Sequence, residues 1–151
     1  MHNYSCSRKE RKIIMENCIF CKIASKEIPG KIVYEDDICL AFLDLSQTTN
    51  GHTLVIPKAH FKNILEVDDK TLIHLMSVTK RLANMIVTNL NAKGVNILTN
   101  ANEAAGQTVM HFHIHIIPRY NQNDQIEINF IDRSNEVNLD AILNKIKAEM
   151  N

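Results

Sequence analysis

The sequence predicts an α+β fold: a mainly antiparallel sheet of five strands, one long helix and short terminal helices. Three observations support this class. Strand-like runs separated by turn signals come first, a long helical repeat follows, and further strand-like runs come after it. The regular strand–helix alternation of a doubly wound fold is missing, so a parallel sheet is not predicted.

The first elements are a short helix and a hairpin. Residues 19–27 have a helical pattern, which Pro29-Gly30 ends. Residues 31–35 alternate in polarity, and residues 39–45 are mostly apolar. The turn signal Asp36-Asp37 lies between these two runs and therefore predicts two hairpin strands.

The third strand and the long helix follow. Asn50-Gly51 marks a turn before a strand at residues 52–57. Asp68 and Asp69 are typical helix N-caps, and a helix over residues 70–89 is predicted after them. Its apolar positions recur at helical spacing: Leu72, Leu75, Met76, Leu82, Ala83, Ile86, Val87 and Leu90. This stripe is expected to pack against the sheet.

The last two strands and a terminal helix complete the chain. After Gly94, residues 95–99 form the fourth predicted strand. Residues 111–117 form the fifth, which Pro118 is expected to stop. The C-terminal helix is amphipathic, with apolar residues at Leu139, Ile142, Leu143 and Ile146.

Length and composition narrow the protein class. With 151 residues, 45% of them hydrophobic, the chain suits one domain, expected over residues 16–151 after a disordered tail at residues 1–15. Zero net charge argues against a nucleic-acid partner, and no apolar run approaches the ~20 residues of a membrane span. Four cysteines without a signal peptide argue against a disulfide framework, so we expect a cytoplasmic protein.

Three histidines in the fifth strand are the main functional signal. Side chains alternate across a strand, so His111, His113 and His115 share one face at intervals of about 7 Å. Imidazole fills an apolar layer poorly, which makes a purely structural role for all three improbable. Neutral imidazole serves both metal binding and nucleophilic catalysis, and the pattern alone leaves both open.

Two shorter motifs accompany the histidines. Residues 106–108, Gly-Gln-Thr, suit the binding of phosphate oxygens, because glycine lets the backbone approach a ligand closely. The same three residues are equally typical of a polar turn without a ligand. Cys18 and Cys21 form a C-x-x-C pair, which is half a zinc site, a redox pair or coincidence. His60 and His111 are available to complete a tetrahedral zinc site.

Together these motifs resemble the histidine triad (HIT) family. Residues 111–117 fit its pattern His-φ-His-φ-His-φ-φ, where every φ is apolar. Other stretches are similar to the family's landmarks in the same order: residues 18–23, 27–29, 34–37, 41–46, 51–60 and 106–109. The resemblance covers residues 17–120, is strongest to the bacterial branch, and implies a HIT-like fold.

The resemblance also implies catalytic roles. His113 corresponds to the nucleophile that attacks an α-phosphate and forms a nucleotidyl-histidine, with its other ring nitrogen bonded to backbone near His115. His115 and His52 correspond to supporting members of the catalytic site. Thr108 corresponds to a residue at the phosphate and leaving group.

A nucleoside pocket and a metal site follow from the same resemblance. Asp44 corresponds to the acidic residue that binds the ribose hydroxyls. The remaining pocket residues are an apolar wall around the base (Ile19, Phe20, Ile23, Phe42 and Leu45) and polar phosphate contacts (Asn100, Gly106, Gln107 and Thr108, beside His113 and His115). Cys18, Cys21, His60 and His111 correspond to a structural zinc site, and no organic cofactor is implied.

The function implied is hydrolysis or transfer at the α-phosphate of nucleoside phosphoramidates or related nucleotidyl conjugates. A dinucleoside polyphosphate hydrolase and a regulatory nucleotide-binding protein with incidental hydrolysis remain alternatives. The expected partners are a purine nucleotide, such as AMP or GMP, and a second copy of the chain, held through the long helix and a sheet edge. Neither nucleic acid nor membrane is expected as a partner.

Overall fold

The computed structural model describes residues 15–121, 123–124 and 126–148. The predicted disordered tail, residues 1–15, therefore lies outside the described residues except for Met15. Within the described ranges, no helix has the length and apolar character needed to cross a bilayer.

The described strands form one antiparallel sheet, as predicted. They are β1 (Ile32–Glu35), β2 (Cys39–Leu43), β3 (Thr53–Pro57), β4 (Gly94–Leu98) and β5 (Ile114–Arg119). Their spatial order is β1-β2-β3-β5-β4, and every neighbouring pair is antiparallel. The predicted α+β class is thereby confirmed.

The helices also appear where they were predicted. They are α1 (Ile19–Ala24), α2 (Asp69–Asn89) and α3 (Leu139–Lys147). Asp68 caps α2, where its carboxylate accepts the Thr71 N–H at 2.9 Å. Asn138 caps α3 in the same way through Ala141. The apolar side chains of α3 remain exposed in the single chain.

The sheet separates two apolar layers. On one face, α2 packs over the strands with these buried residues: Cys39, Ala41, Val55, Leu75, Val78, Leu82, Ile86, Phe112, Ile114 and Ile116. On the other face, α1 covers a smaller cluster: Phe20, Ile23, Leu40, Phe42, Leu54 and Ile56. Successive residues of β2 and β3 alternate between the layers, as the pleat requires. We refer to these as the α2 face and the α1 face.

Two elements end earlier than predicted. The first helix stops at Ala24 rather than residue 27, because Lys26 adopts a left-handed conformation (φ 66°) that no α-helix accommodates. The second strand stops at Leu43 rather than residue 45. There the Asp44 carboxylate accepts the Ser46 N–H at 2.9 Å and turns the chain.

The fifth strand differs most from its prediction. It begins at Ile114, because the preceding Phe112 N–H donates to the carbonyl of Phe61 at 2.6 Å instead of joining the ladder. It also continues through Pro118, which was expected to stop it. The pairing of β3 with β5 ends at Ile116. On the side of β5 that faces β3, the sheet therefore requires no N–H from Pro118.

Candidate functional site

The three motif histidines lie on the α1 face, although only His115 belongs to β5 itself. The ring of Phe20 packs nearly perpendicular to the rings of His111 and His113, with centroids 5.9 and 5.1 Å away. The rings of His113 and His115 lean together, 5.0 Å between centroids. Phe112 faces the opposite layer, so the predicted alternation holds even before the strand begins.

His113 is buried and fixed by its own backbone neighbourhood. Its Nδ1 lies 2.7 Å from the carbonyl oxygen of His111, which can only accept, so Nδ1 carries the proton. This bond runs to His111, not to backbone near His115 as the resemblance implied. In the neutral ring, Nε2 therefore keeps its lone pair. Burial lowers the pKa of His113, which favours that neutral form.

A series of hydrogen bonds determines which ring nitrogen of His115 carries the proton. The Thr48 N–H donates to Nδ1 of His52 at 3.4 Å, so neutral His52 carries its proton on Nε2. That nitrogen lies 2.9 Å from Nδ1 of His115 and donates to it. Neutral His115 consequently holds its own proton on Nε2. No hydrogen bond among the described residues uses this last N–H.

The pair His52 and His115 makes the stability depend on pH. Burial lowers both pKa values, that of His115 to about 4 with the neighbouring histidines adding to the effect. In the unfolded chain the two rings take up protons at pH ~6.5, whereas the buried rings of the folded protein stay neutral. Their contribution to the free energy of unfolding is therefore complete above that pH and is lost as the pH falls toward ~4. We expect the urea midpoint to fall across this window, and to fall less steeply in His115→Asn. Parallel curves for the two proteins would contradict this expectation.

Asp44 lies beside the histidines at the end of β2. One carboxylate oxygen accepts the Ser46 N–H, and the other lies 3.7 Å from Nε2 of His52. The side chain is partly exposed, so the carboxylate can be reached by a ligand. Its negative charge favours the protonated forms of His52 and His113, which partly opposes the effect of their burial.

The apolar residues predicted around a base divide into two groups. Phe20, Ile23 and Phe42 are buried in the α1-face layer, where they contribute to packing. Ile19 and Leu45 are 48% and 93% exposed. The described chain thus brings three of these side chains together beneath the site and leaves two open to a ligand.

The predicted phosphate loop lies between β4 and β5. Gly106 has a φ of 86°, a conformation that glycine tolerates best, and it lies close to the Asn100 amide. Thr108 is exposed, and its hydroxyl and N–H take part in no hydrogen bond among the described residues. Gln107 differs. Its amide N–H groups donate to the carbonyls of Lys62 at 2.7 Å and Val109 at 3.0 Å, inside the protein.

Sequence reasoning missed two asparagines in this region. Asn63 is 2% exposed and bonds to Asn102 and Gln107. Asn102 has φ 70° and ψ 163°, a region almost restricted to glycine, where a side chain costs about 1–3 kcal/mol. No sequence pattern predicts a special role for either residue, because isolated asparagines are common in loops. The short 3₁₀ helix Glu103–Ala105, which follows Asn102, was not predicted either.

Four side chains form a cluster with the composition of a zinc site. Cys18, Cys21, His60 and His111 converge from α1, the segment after β3 and the start of the motif. The S···N distances are 3.4 Å for Cys18–His111, 3.4 Å for Cys21–His60 and 3.5 Å for Cys21–His111. A tetrahedral zinc with Zn–S of about 2.3 Å and Zn–N of about 2.0 Å separates S from N by about 3.5 Å. The cluster fits that ion.

The tautomer of His111 also fits a metal ligand. Its Nε2 lies 2.9 Å from the carbonyl of Pro57 and must donate, so Nδ1 presents a lone pair to the cysteines. Such a bond on the distal nitrogen is usual for metal-bound histidine. His111 thereby contacts the cluster through its side chain and His113 through its carbonyl, which links the two sites.

Comparison with known proteins identifies relatives of this chain. The HIT domain model matches residues 25–122. The Bacillus subtilis "Protein hit" is 50% identical over 109 residues, covering 72% of this chain and 75% of that protein. The Arabidopsis thaliana "Adenylylsulfatase HINT3" is 39% identical over 110 residues, covering 73% of this chain and 56% of that protein.

Solved structures agree with the sequence relatives. A HIT family protein from Bacillus anthracis has a TM-score of 0.82 at 45% identity, covering 88% of this chain and 94% of its own. A zinc-bound histidine triad family protein from Mycobacterium smegmatis has a TM-score of 0.70 at 36% identity, covering 88% of this chain and 98% of its own.

Proposed function

The chain belongs to the histidine triad (HIT) family, and we propose that it is a nucleotide hydrolase or transferase acting at the α-phosphate of nucleoside phosphoramidates or related conjugates. The observation that carries this proposal is the bond between Nδ1 of His113 and the carbonyl of His111. It orients a neutral imidazole with the Nε2 lone pair directed away from its backbone support. Such a ring is suited to nucleophilic catalysis.

The first chemical step is attack of Nε2 of His113 on the α-phosphorus. A phosphorus–nitrogen bond to His113 forms while the bond to the leaving group breaks. His115 is suited to donate a hydrogen bond to the leaving atom, because the series of bonds from Thr48 through His52 keeps its proton on Nε2. That hydrogen bond stabilises the charge that develops as the bond breaks, and solvent supplies the proton that completes the departing amine.

The second step releases the nucleotide. A water molecule attacks the phosphorus, the bond to His113 breaks to return the neutral ring, and the water's proton is released to solvent. Thr108 is proposed to contact the phosphate oxygens, and the absence of any hydrogen bond from its hydroxyl and N–H within the described protein supports this role. Burial keeps His113 and His115 neutral at pH 7, so each ring begins the cycle in the required form.

A substrate panel tests this function. Adenosine 5′-phosphoramidate, adenylyl sulfate and dinucleoside polyphosphates are compared for kcat/KM, and guanosine analogues test the purine preference. We expect turnover of the phosphoramidate. The relative named as an adenylylsulfatase makes adenylyl sulfate a specific second candidate. Preference for dinucleoside polyphosphates favours the hydrolase alternative, and tight AMP binding without turnover favours a regulatory protein.

Asp44 is proposed to bind the ribose hydroxyls. Asp44→Ala is expected to raise KM for a ribonucleotide substrate by roughly 10- to 100-fold, because a hydrogen bond to a charged group contributes about 1.5–3 kcal/mol. The 2′-deoxy substrate has fewer hydroxyls that can bond to Asp44, so its KM should rise less in the variant. Steady-state kinetics with both sugars measure the difference. Equal increases would show that Asp44 does not bind the ribose.

A structural zinc is proposed for the four-residue cluster. Cys18, Cys21, His60 and His111 would hold the ion, and a complete set of four protein ligands leaves no position for a reacting water. A bound zinc would tie α1 to the start of the histidine motif, and it would supply no group to the reaction. The zinc-bound Mycobacterium smegmatis relative supports this assignment.

We also propose that two copies associate through α2 and the free edge of β4. Apolar side chains on these elements are exposed in the single chain: Ile73, Met76, Met85, Ile97 and Leu98. A cavity of about 380 Å³ lies between the two elements, and its lining is largely apolar. A second copy would bury these exposed apolar side chains.

A further inference from the structure

Asn63 connects the segment after β3 to the loop between β4 and β5, which lies about 40 residues further along the chain. Its Nδ2 donates to Oδ1 of Asn102 at 3.0 Å and to Oε1 of Gln107 at 3.3 Å. Its own Oδ1 accepts the Leu65 N–H at 3.0 Å. The amide is buried, so each of its polar atoms depends on these partners for hydrogen bonding.

Gln107 completes the connection from the other loop. Its Oε1 accepts the Asn102 N–H at 2.8 Å in addition to the Asn63 amide. Its Nε2 donates one N–H to the carbonyl of Lys62, the residue next to Asn63, and the other to the carbonyl of Val109. The side chain therefore has no donor left for a ligand, although its position in the sequence suggests one.

Asn102 is the strained member of this group. Its backbone lies in the region that glycine prefers, yet its N–H, carbonyl and side-chain oxygen are all bonded. The carbonyl accepts the N–H groups of Ala105 and Gln107, both at 3.1 Å. Strain of this kind persists only where the surroundings hold it. Because Asn102 immediately precedes the turn to Gly106, its conformation determines how the loop approaches Thr108.

We propose that Asn63 is a positioning residue: acting through Asn102 and Gln107, it holds Gly106 and Thr108 in the geometry that receives the substrate phosphate. The inference rests on the proposed function, because it assumes that a nucleotide phosphate binds at this loop. Gln107 is then a second positioning residue rather than a phosphate ligand. The hydrogen bonds of the Asn63 side chain run to Asn102, Gln107 and Leu65, and none of them reaches His113 or Asp44.

The test compares AMP with adenosine, which lacks the phosphate. In Asn63→Asp the two donated bonds are lost and a carboxylate faces two acceptor oxygens. We expect the Kd for AMP to rise about tenfold or more, as for the loss of well-placed contacts to a charged group, while the Kd for adenosine changes less than twofold. Titration calorimetry measures both. Asn144→Asp, at an exposed position of α3, is the matched control and should alter neither Kd.

Asn102→Gly keeps the proposal testable if Asn63→Asp does not fold. Glycine adopts the native φ without strain, so this variant should remain folded while losing the Asn63 contact. We again expect selective loss of AMP affinity. Equal losses for AMP and adenosine, or no loss in a folded variant, would overturn the positioning role. Failure of the wild type to bind AMP would instead overturn the proposed function itself.

Discussion

Replacement of His113 with alanine is expected to lower kcat by about a thousandfold or more while AMP binding survives. Removal of a covalent nucleophile commonly costs several orders of magnitude, and a factor of one thousand corresponds to about 4 kcal/mol in the activation barrier. The lone pair on Nε2 disappears with the ring, whereas Asp44 and Thr108 remain. Single-turnover kinetics and AMP titration measure the two effects separately.

A matched control is available on the far side of the molecule. His74 lies on α2 and bonds to Asp36 at 2.7 Å, away from the motif histidines. His74→Gln should retain the wild-type kcat. If His113→Ala kept more than a tenth of wild-type kcat, the nucleophile assignment would be wrong, because only about 1.4 kcal/mol would remain for it.

Removal of one cysteine from the cluster is expected to abolish zinc binding. We predict one zinc per chain in the wild type and none in Cys18→Ser, with a melting temperature lower by about 10 °C if ~3 kcal/mol of stability is lost. Cys18 also caps α1, where its sulfur accepts the Cys21 N–H. Serine is a good N-cap, so the substitution removes the metal ligand while preserving the cap.

Elemental analysis of protein purified without chelator measures the zinc content. Cys39→Ser is the control, because Cys39 is buried against the α2 face outside the cluster and should keep the metal. Nucleotide affinity should fall in Cys18→Ser, since Phe20 lies on the tethered segment and contacts His113. Equal zinc contents in the wild type and Cys18→Ser would remove this site from the account.

Local patterns predicted the features that depend on neighbouring residues. The alternation from His111 to Ile116 indicated which side chains share a face, and Asp68 indicated where the long helix begins. Both follow from backbone geometry that acts over a few positions. The C-x-x-C pair alone left a zinc site, a redox pair and coincidence open, and the assignment of His60 and His111 as partners came from availability and family resemblance.

Features that depend on distant residues could not be predicted in this way. Pro118 lies inside a strand because β3 has already stopped pairing there, which no local rule reveals. The family resemblance predicted a phosphate contact for Gln107, but its amide donates to the carbonyl of Lys62, 45 residues away. The bond that fixes His113 also ran to an unexpected carbonyl, because motif residues before β5 leave the regular ladder.

The stereochemical course at phosphorus tests the central claim most directly. An adenosine phosphoramidate made chiral with sulfur at the α-phosphorus is hydrolysed in ¹⁸O-labelled water, and the configuration of the product is assigned by ³¹P NMR. Attack by His113 followed by attack of water gives two inversions, so the account predicts net retention. Net inversion would show a single direct displacement by water and would contradict a nucleotidyl-histidine intermediate.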